Sequence, residues 1–202
     1  MNNFVYRFKK GLYLNITNRC SNNCLFCKKN TLENYVGCSL KLKKEPSLDQ
    51  LISAVKQELK KFQPKEIVFC GFGEPLLFLQ LVLQTIKVLK KYGISIRLNT
   101  NGQVNLFFPN KNPAVSLVKA GLDKISISLN AHDNESYQKV CQPKLGKKAF
   151  PSALEFIKDC QKTGIKTRIT FVEKFCDVKK CKKLARRLGV DYSFRPTIHL
   201  RE

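Results

Sequence analysis

The sequence contains no apolar run that is long enough to cross a membrane. The longest such run, residues 76–83, is far shorter than the roughly 20 residues that a membrane helix needs, and Lys87 follows it closely. The first seven residues also lack the apolar segment of a signal peptide. We therefore expect no membrane partner and a cytoplasmic location.

Acidic residues are scarce: 15 Asp and Glu stand against 37 Lys and Arg, which gives a formal net charge of +22. An excess this large favours polyanionic partners such as nucleic acid. The densest basic run, residues 179–187, keeps its charges off an apolar helix face, which is typical of a solvated outer surface. A second basic run, residues 41–44, follows Cys38. We therefore keep nucleic acid as an alternative partner, but the solvated position of these charges does not favour it.

The strand and helix patterns alternate along the whole chain. A length of 202 residues with 43% hydrophobic residues fits one α/β domain, and no linker or repeat divides it. The β-type runs cover residues 12–17, 66–71, 94–100, 124–130, 166–172 and 190–195. Such alternation predicts parallel strands joined by right-handed crossovers. Six units are too few for a full eight-stranded barrel, so an open doubly wound sheet and a partial barrel are the two alternative architectures.

Caps and glycines mark the ends of the predicted helices. Ser47 with Gln50 three residues later is a capping-box pattern at the start of the first helix. The second helix is expected over residues 76–92, with Gly93 as its stop. Further helices are expected over residues 114–120 and about 150–160, and the last lies between Asp177 and Gly189.

Three cysteines, Cys20, Cys24 and Cys27, lie close together directly after the first predicted strand. Iron–sulfur clusters usually take four cysteine thiolates, so three would leave one iron without a protein ligand. An open metal position suits a reactive site and not a purely structural one. Nine cysteines without an export signal also indicate a reducing compartment, where thiols persist and metal ligation is common.

A zinc site is the alternative use of these cysteines, with Cys38 as the fourth ligand. Structural zinc loops usually contain two C-x2-C pairs, whereas only Cys24 and Cys27 form one here. A disulfide framework is typical of short secreted chains and does not suit this one. The spacing therefore favours a cluster and leaves zinc open.

Polar residues follow the next three predicted strands at the same edge. The second strand leads into Gly71-Phe-Gly-Glu-Pro75, the third into Asn99-Thr-Asn-Gly102, and the fourth into Ser126-Ile-Ser-Leu-Asn130. Glycines let the backbone approach a ligand closely, although Asn-Gly alone marks any tight turn. Because catalytic groups lie at the carboxyl ends of parallel strands, these segments predict one site.

The C-x3-C-x2-C spacing with Phe26 before the last cysteine, together with Gly-Phe-Gly-Glu-Pro one strand later, resembles the radical S-adenosylmethionine (radical SAM) enzymes. The resemblance implies that Cys20, Cys24 and Cys27 hold a [4Fe–4S] cluster and that S-adenosylmethionine occupies the fourth iron. It implies that Glu74 accepts hydrogen bonds from the methionyl ammonium of that cofactor. The cofactor-binding residues implied in this way are Phe26, Glu74, Asn101, Ser128 and Asn130.

Longer segments resemble the small TatD-linked radical SAM proteins: residues 14–20, 68–75, 97–102, 126–131, and Ser136-Tyr137 with Cys141-Gln-Pro143. The resemblance implies a six-unit (βα)6 partial TIM-type barrel over residues 1–202. It implies reductive cleavage of S-adenosylmethionine to a 5′-deoxyadenosyl radical that abstracts hydrogen from a small-molecule or macromolecular substrate. The electron donor would be a protein such as flavodoxin or ferredoxin.

Two other functions remain as alternatives to that reaction. A small radical SAM chain could be an activase that installs a glycyl radical on a partner protein. From another class, the chain could be a zinc-stabilised basic module that binds nucleic acid and catalyses nothing.

Strand alternation predicts where three arginines point. Successive side chains on a strand face opposite sides, and Arg97, Arg168 and Arg195 fall on the polar side of their strands. Crossover helices must cover the apolar side, so the arginines should face the lumen, where they would hold an anionic substrate. The alternative is that they form structural ion pairs with Glu66 and Asp191.

The remaining chemistry-bearing residues predict no further site. Cys160 and Cys181 fall on apolar helix stripes, where a thiol is a small hydrophobe, and Cys141 falls on a short helix. No second cluster is expected. His132 follows the fourth strand, and a lone loop histidine of this kind is expected to be solvated.

Overall fold

The computed structural model describes residues 3–30 and 37–196. Its sheet has seven strands in sequential order, of which only the first is antiparallel to its neighbour. The strands are β1 Val5–Phe8, β2 Gly11–Leu14, β3 Glu66–Phe69, β4 Ser95–Thr100, β5 Lys124–Ser128, β6 Lys166–Val172 and β7 Asp191–Arg195. A sheet without a reversal of strand order is a partial barrel and not a doubly wound sheet.

The predicted α/β partial barrel is therefore confirmed, with one correction. The sheet has seven strands and not six, because β1 forms a short hairpin with β2 through Lys9 and Lys10. Strands β2, β3 and β5 also end two or three residues earlier than the sequence pattern predicts. The chain leaves the sheet at those points to form the loops that carry the polar motifs.

Seven α-helices are found in the described residues: α1 Leu48–Leu59, α2 Leu79–Leu89, α3 Val104–Phe107, α4 Pro113–Ala120, α5 Asn134–Cys141, α6 Ala149–Lys162 and α7 Val178–Leu188. The capping box of Ser47 and Gln50 is present, and the Asp177 side chain accepts a hydrogen bond from the Lys180 amide at the start of α7. The second predicted helix is divided, because 3-10 turns at Pro75–Phe78 and Lys90–Tyr92 flank α2. None of the described helices is both long and apolar enough to cross a membrane.

The two faces of the sheet differ in polarity. On β4 and β5, Ile96, Leu98, Ile125 and Ile127 are fully buried beneath the helices. The residues between them point to the open lumen and are partly exposed. On α7 the basic side chains are exposed while Cys181, Leu184 and Ala185 are buried, which confirms the solvated helix face.

Candidate functional site

A cavity of about 270 Å³ opens at the carboxyl end of the sheet, where the cysteine loop leaves β2. It brings together all the residues that the sequence predicts for the cluster and cofactor: Cys20, Cys24, Phe26, Cys27, Glu74, Asn101, Ser128 and Asn130. They come from four separate parts of the chain. The topology therefore places these residues in one cavity. That they bind a cluster and a cofactor there is still a prediction.

The three thiols of the loop face this cavity and already have polar neighbours. The Cys20 sulfur accepts a hydrogen bond from the Asn22 amide at 3.4 Å, and the Asn101 side-chain amide lies 3.9 Å away. Within the described residues, no three Cys, His, Asp or Glu side chains are gathered tightly enough to hold a metal ion as they stand. Three soft thiolate donors around one cavity nevertheless fit an iron–sulfur cluster, because cysteine thiolates are the usual ligands of such clusters.

The fourth ligand of the zinc alternative does not lie at this cavity. Cys38 packs against Tyr6, Leu40 and Phe72, which line the cavity, but Cys38 itself does not line it. The cysteines that do line the cavity are Cys20, Cys24, Cys27 and also Cys70, which directly follows β3. The described geometry therefore does not place Cys38 beside the three thiols of the loop.

Burial raises the pKa values of two of the three thiols, and a hydrogen bond lowers that of the third. Desolvation, with a smaller effect from the Glu74 carboxylate, raises the pKa of Cys20 to about 12. Desolvation also raises the pKa of Cys27. The pKa of Cys24 is lowered, because the Cys141 thiol donates a hydrogen bond to its sulfur. A bound cluster would stabilise the thiolate forms, since coordinated thiols are deprotonated.

Glu74 is fully buried and has structural partners as well as a place at the cavity. Its Oε1 accepts hydrogen bonds from the Leu76 amide at 3.0 Å and the Thr100 hydroxyl at 2.7 Å. Its Oε2 accepts one from the Asn101 amide at 2.7 Å. Burial raises the pKa of Glu74 to about 6, although the three hydrogen bonds act in the opposite direction and lower it. A carboxylate has about four acceptor positions, so one remains for a ligand ammonium group.

A buried polar network lies beneath the cysteine loop, and sequence reasoning did not predict it. The Gln103 side-chain amide donates to Asn22 Oδ1 at 2.6 Å and to the Tyr137 hydroxyl at 2.9 Å. Asn22 Nδ2 donates to the same hydroxyl at 3.0 Å. On the other side, Asn101 Nδ2 donates to the Ser21 hydroxyl at 2.8 Å. The network fixes the backbone between Cys20 and Cys24 from residues far away in sequence.

The carboxyl end of α5 supports the same loop. The Asn23 amide donates to the Cys141 carbonyl at 3.1 Å, and the Leu25 amide donates to the Val140 carbonyl at 3.0 Å. Cys141 is fully buried, and its thiol contacts both Cys24 and the side chain of Asn130. Sequence reasoning treated this cysteine only as part of a short helix. No local sequence pattern indicates that this cysteine lies behind a predicted cluster ligand.

A second cavity, of about 600 Å³, occupies the lumen and is lined by Arg97, Arg168 and Arg195. It shares Asn99, Ser128 and Arg195 with the cysteine cavity, so the two cavities adjoin. All three arginines therefore lie on the open face of the sheet. Arg195 Nη2 lies 3.5 Å from the Ser128 hydroxyl, at the junction of the two cavities.

The ion-pair alternative holds for one of the three arginines. Arg97 forms a bidentate ion pair with Glu66 at 2.8 and 3.1 Å, and this hydrogen bonding lowers the pKa of Glu66. Asp191 makes no ion pair with a described residue. Arg97 is thus held as a structural residue, whereas the Arg168 side chain makes no ion pair or hydrogen bond within the described part of the chain.

Of the expectations about residues outside the site, the one for Cys160 and Cys181 is confirmed and the one for His132 is wrong. Cys160 and Cys181 are buried in the core, as predicted. His132 is not simply solvated: its side chain is mostly buried, and its Nε2 lies 2.8 Å from Asp133 Oδ2. It lines neither of the two cavities, so it has no contact with the predicted site.

A family model described as the radical SAM superfamily matches residues 14–192. The chain belongs to this superfamily. Its members are enzymes that use a [4Fe–4S] cluster and S-adenosylmethionine, and these are therefore the cofactors of this domain. The alternative of a zinc-stabilised module without catalytic activity is wrong.

The curated relatives extend the comparison to named proteins. The chain is 31% identical over 187 residues to a probable GTP 3′,8-cyclase of Saccharolobus islandicus, covering 90% of this chain and 54% of that protein. It is 30% identical over 132 residues to a probable GTP 3′,8-cyclase of Methanosarcina mazei, covering 64% of this chain and 36% of that protein. The chain thus spans about half or less of the length of these relatives.

Solved structures show the same fold at low identity. Streptococcus suis SuiB bound to S-adenosylmethionine superimposes with a TM-score of 0.71 at 14% identity, covering 96% of this chain and 42% of that chain. TYW1 with a lysine–pyruvate adduct gives a TM-score of 0.62 at 21% identity, covering 96% of this chain and 66% of that chain. At these identities the comparison supports the fold alone.

Proposed function

We propose that residues 1–202 form a radical SAM core domain that cleaves S-adenosylmethionine and abstracts hydrogen from an anionic substrate. The observation that supports this proposal is that the cysteine cavity adjoins a lumen lined by basic residues. The motifs further suggest the small TatD-linked group of the superfamily. Nine free cysteines fit a reducing cytoplasm, and a flavodoxin- or ferredoxin-like protein is the proposed electron donor.

The residues of the cysteine cavity have separate tasks in this proposal. Cys20, Cys24 and Cys27 bind the cluster, which when bound supplies the electron that releases a 5′-deoxyadenosyl radical from S-adenosylmethionine. Glu74 accepts the methionyl ammonium at its remaining acceptor position. Asn101, Ser128 and Asn130 supply hydroxyl and amide groups for the ribose and carboxylate, while Phe26 shields one side of the cavity.

The substrate is proposed to be anionic because of Arg168 and Arg195. Arg195 lies where the two cavities meet, so it can contact cofactor and substrate together. Arg168 lies lower in the lumen and makes no ion pair within the described residues. Guanidinium groups bind carboxylates and phosphates through two parallel hydrogen bonds.

Variants of the reconstituted enzyme test this proposal, with 5′-deoxyadenosine as the readout. Wild type should form 5′-deoxyadenosine slowly alone and faster with a true substrate found by screening anionic metabolites. Arg195→Ala should lose the substrate-dependent stimulation, whereas Arg187→Ala, on the exposed face of α7, should keep it. Stimulation that is equal in both variants would remove Arg195 from the substrate site. Absence of 5′-deoxyadenosine from every protein would contradict the proposed reaction itself.

A GTP cyclisation is the second candidate, because the curated relatives are named as probable GTP 3′,8-cyclases. GTP is an anionic molecule and so falls within the proposed substrate class. The chain spans only about half of those relatives, so its own activity on GTP is a separate hypothesis. Consumption of GTP by the reconstituted enzyme supports it, and 5′-deoxyadenosine formation that GTP leaves unchanged contradicts it. Installation of a glycyl radical on a partner protein stays the third candidate.

A further inference from the structure

The lower half of the lumen contains a row of three cations across neighbouring strands. In the sheet register Arg97 of β4 lies opposite Lys124 of β5, and Lys124 lies opposite Lys166 of β6. Neighbouring strands are about 4.8 Å apart, so the row spans about 10 Å. All three residues line the 600 Å³ cavity. We call them the lumen floor.

The charge of the lumen floor is only partly balanced. Glu66 is already held by two hydrogen bonds from Arg97. The Lys124 and Lys166 side chains make no hydrogen bond or ion pair with any residue that the structure describes, and Lys124 acts on Glu66 only through its charge, behind the hydrogen bonding of Arg97. Across the whole cavity, six basic side chains face two acidic ones.

Nothing in the fold requires this arrangement of charges. Like charges directly opposite each other on adjacent strands are destabilising. The same face of the sheet carries uncharged hydroxyls nearer the cysteine cavity, at Ser126, Ser128, Thr170 and Ser193. Arg168 and Arg195 lie above the floor on the same face, but only at the floor do three cations lie side by side on adjacent strands, which indicates that the floor binds an anion of high charge.

We propose that the lumen floor binds the phosphate end of the substrate, which makes the substrate a small organic phosphate or diphosphate. This inference rests on the proposed radical SAM function. A phosphate carries more charge than a single carboxylate, so a row of cations suits it. A cavity of 600 Å³ is of the size that holds a small molecule.

The depth of the lumen sets the length of that substrate. Ser128 belongs to both cavities and lies four residues above Lys124 on β5. At about 3.3 Å per residue the separation is about 13 Å. The reacting carbon lies near the cofactor, so the phosphate must be about 10–13 Å from it. A nucleotide or a phosphorylated sugar derivative has this length.

Binding of pyrophosphate to the reconstituted protein tests the inference, with calorimetry at physiological salt. The double variant Lys124→Ala/Lys166→Ala removes two charges from the floor. The control Lys56→Ala/Lys158→Ala removes two exposed charges from the outer helices α1 and α6. We expect at least tenfold weaker binding for the floor variant and less than a twofold change for the control. Equal weakening of both variants, or no binding to wild type, would overturn the proposal.

Chemical acetylation of lysines, read by mass spectrometry, tests the position independently of stability. Pyrophosphate should protect Lys124 and Lys166 and leave Lys56 and Lys158 reactive. Protection of the floor by a single-stranded oligonucleotide but not by pyrophosphate would show that the floor binds nucleic acid and not a small phosphate. That result would overturn the proposal. Cleavage of S-adenosylmethionine is measured separately on wild type. Pyrophosphate binding without cleavage contradicts the proposed function, and cleavage without pyrophosphate binding contradicts only this inference.

Discussion

At the scale of single residues, Glu74 links the structure of the site to its chemistry. Its carboxylate accepts hydrogen bonds from the turn that follows it and from the end of β4. The same side chain lines the cysteine cavity. A ligand ammonium therefore meets a carboxylate that is already fixed in place, which lowers the entropic cost of binding.

Replacement of Glu74 by Ala should weaken the binding of S-adenosylmethionine. Loss of one charge-assisted hydrogen bond costs about 1.5–3 kcal/mol. Titration calorimetry on the reconstituted protein measures the affinity, and iron content is the control, since the carboxylate is not a predicted ligand of iron. Unchanged affinity would remove Glu74 from the cofactor site.

Glu74 should also make the stability of the cluster-free protein depend on pH. Its pKa is about 6 in the folded protein and 4.5 in the reference state, so the folded state keeps the proton to higher pH. Its contribution to stability is full below pH 4.5 and falls as the pH rises to 6, by about 2 kcal/mol. Urea unfolding of wild type and Glu74→Ala from pH 4 to 7 measures this. A difference between the two proteins that is constant with pH would contradict it.

Cys141 should influence the reduction potential of the cluster through Cys24. A hydrogen bond to a ligand sulfur stabilises the more negative, reduced cluster and so raises its potential. Cys141→Ala should lower the potential by about 40 mV, which corresponds to one neutral hydrogen bond of about 1 kcal/mol. Cys141→Ser keeps a donor and should shift it less. Redox titration followed by electron paramagnetic resonance gives the value.

The control for Cys141 is Cys160→Ala, which removes a buried thiol on α6. Both variants should lose some stability, but only the one at Cys141 should change the potential. Equal potentials in wild type, Cys141→Ala and Cys160→Ala would show that Cys141 only fills space.

Sequence alone could predict the residues that carry a compact motif, and not those that support them. Cys20, Cys24, Cys27 and Glu74 lie in short, regular patterns. Gln103 and Tyr137 contact Asn22 across 81 and 115 positions, so no local pattern reveals them. Their contacts depend on how α5 and the loop after β4 pack against the cysteine loop, which sequence periodicity does not specify.

At the scale of elements, the cysteine loop is fixed between α5 and the loop after β3. On the β3 side, the Glu74 amide donates to the Arg19 carbonyl at 2.8 Å. A Cβ on Gly73 would collide with the Thr17 carbonyl and lie 2.6 Å from that of Arg19. The glycine therefore permits the close approach of two backbones at the base of the cysteine loop.

Gly73→Ala should displace the cysteine loop. Overpacking costs roughly 1–3 kcal/mol, and displaced ligands should also lower the iron content after reconstitution. Gly93→Ala is the control, because its Cβ meets open space and only its left-handed backbone is strained. We expect both variants to lose stability and only Gly73→Ala to lose iron. Full iron content in Gly73→Ala would contradict the account of this contact.

Element boundaries were predictable where a cap defines them. Ser47, Asp177, Gly93 and Gly189 fix helix ends through backbone geometry that their residue types favour. The hairpin strand β1 was missed, because four residues at a chain end give too short a pattern. The early ends of β2 and β3 were missed as well, since loop residues such as Asn15 and Thr17 are buried like strand residues.

At the scale of the whole molecule, the sheet separates stability from function. One face supplies the apolar core under the helices, and the other supplies the cysteine cavity and the basic lumen. The alternation of strand residues made this division predictable. The row of three cations at the lumen floor was not predictable, because it depends on the register between strands.

The central claim is that Cys20, Cys24 and Cys27 bind a cluster that cleaves S-adenosylmethionine. Anaerobic reconstitution followed by iron and sulfide analysis tests it most directly, together with the spectrum of the reduced protein with and without S-adenosylmethionine. We expect about four irons and four sulfides per chain, a spectrum that S-adenosylmethionine changes, and loss of both in Cys20→Ala, Cys24→Ala and Cys27→Ala. A colourless protein with a single zinc, or a cluster retained by the cysteine variants, would contradict the account.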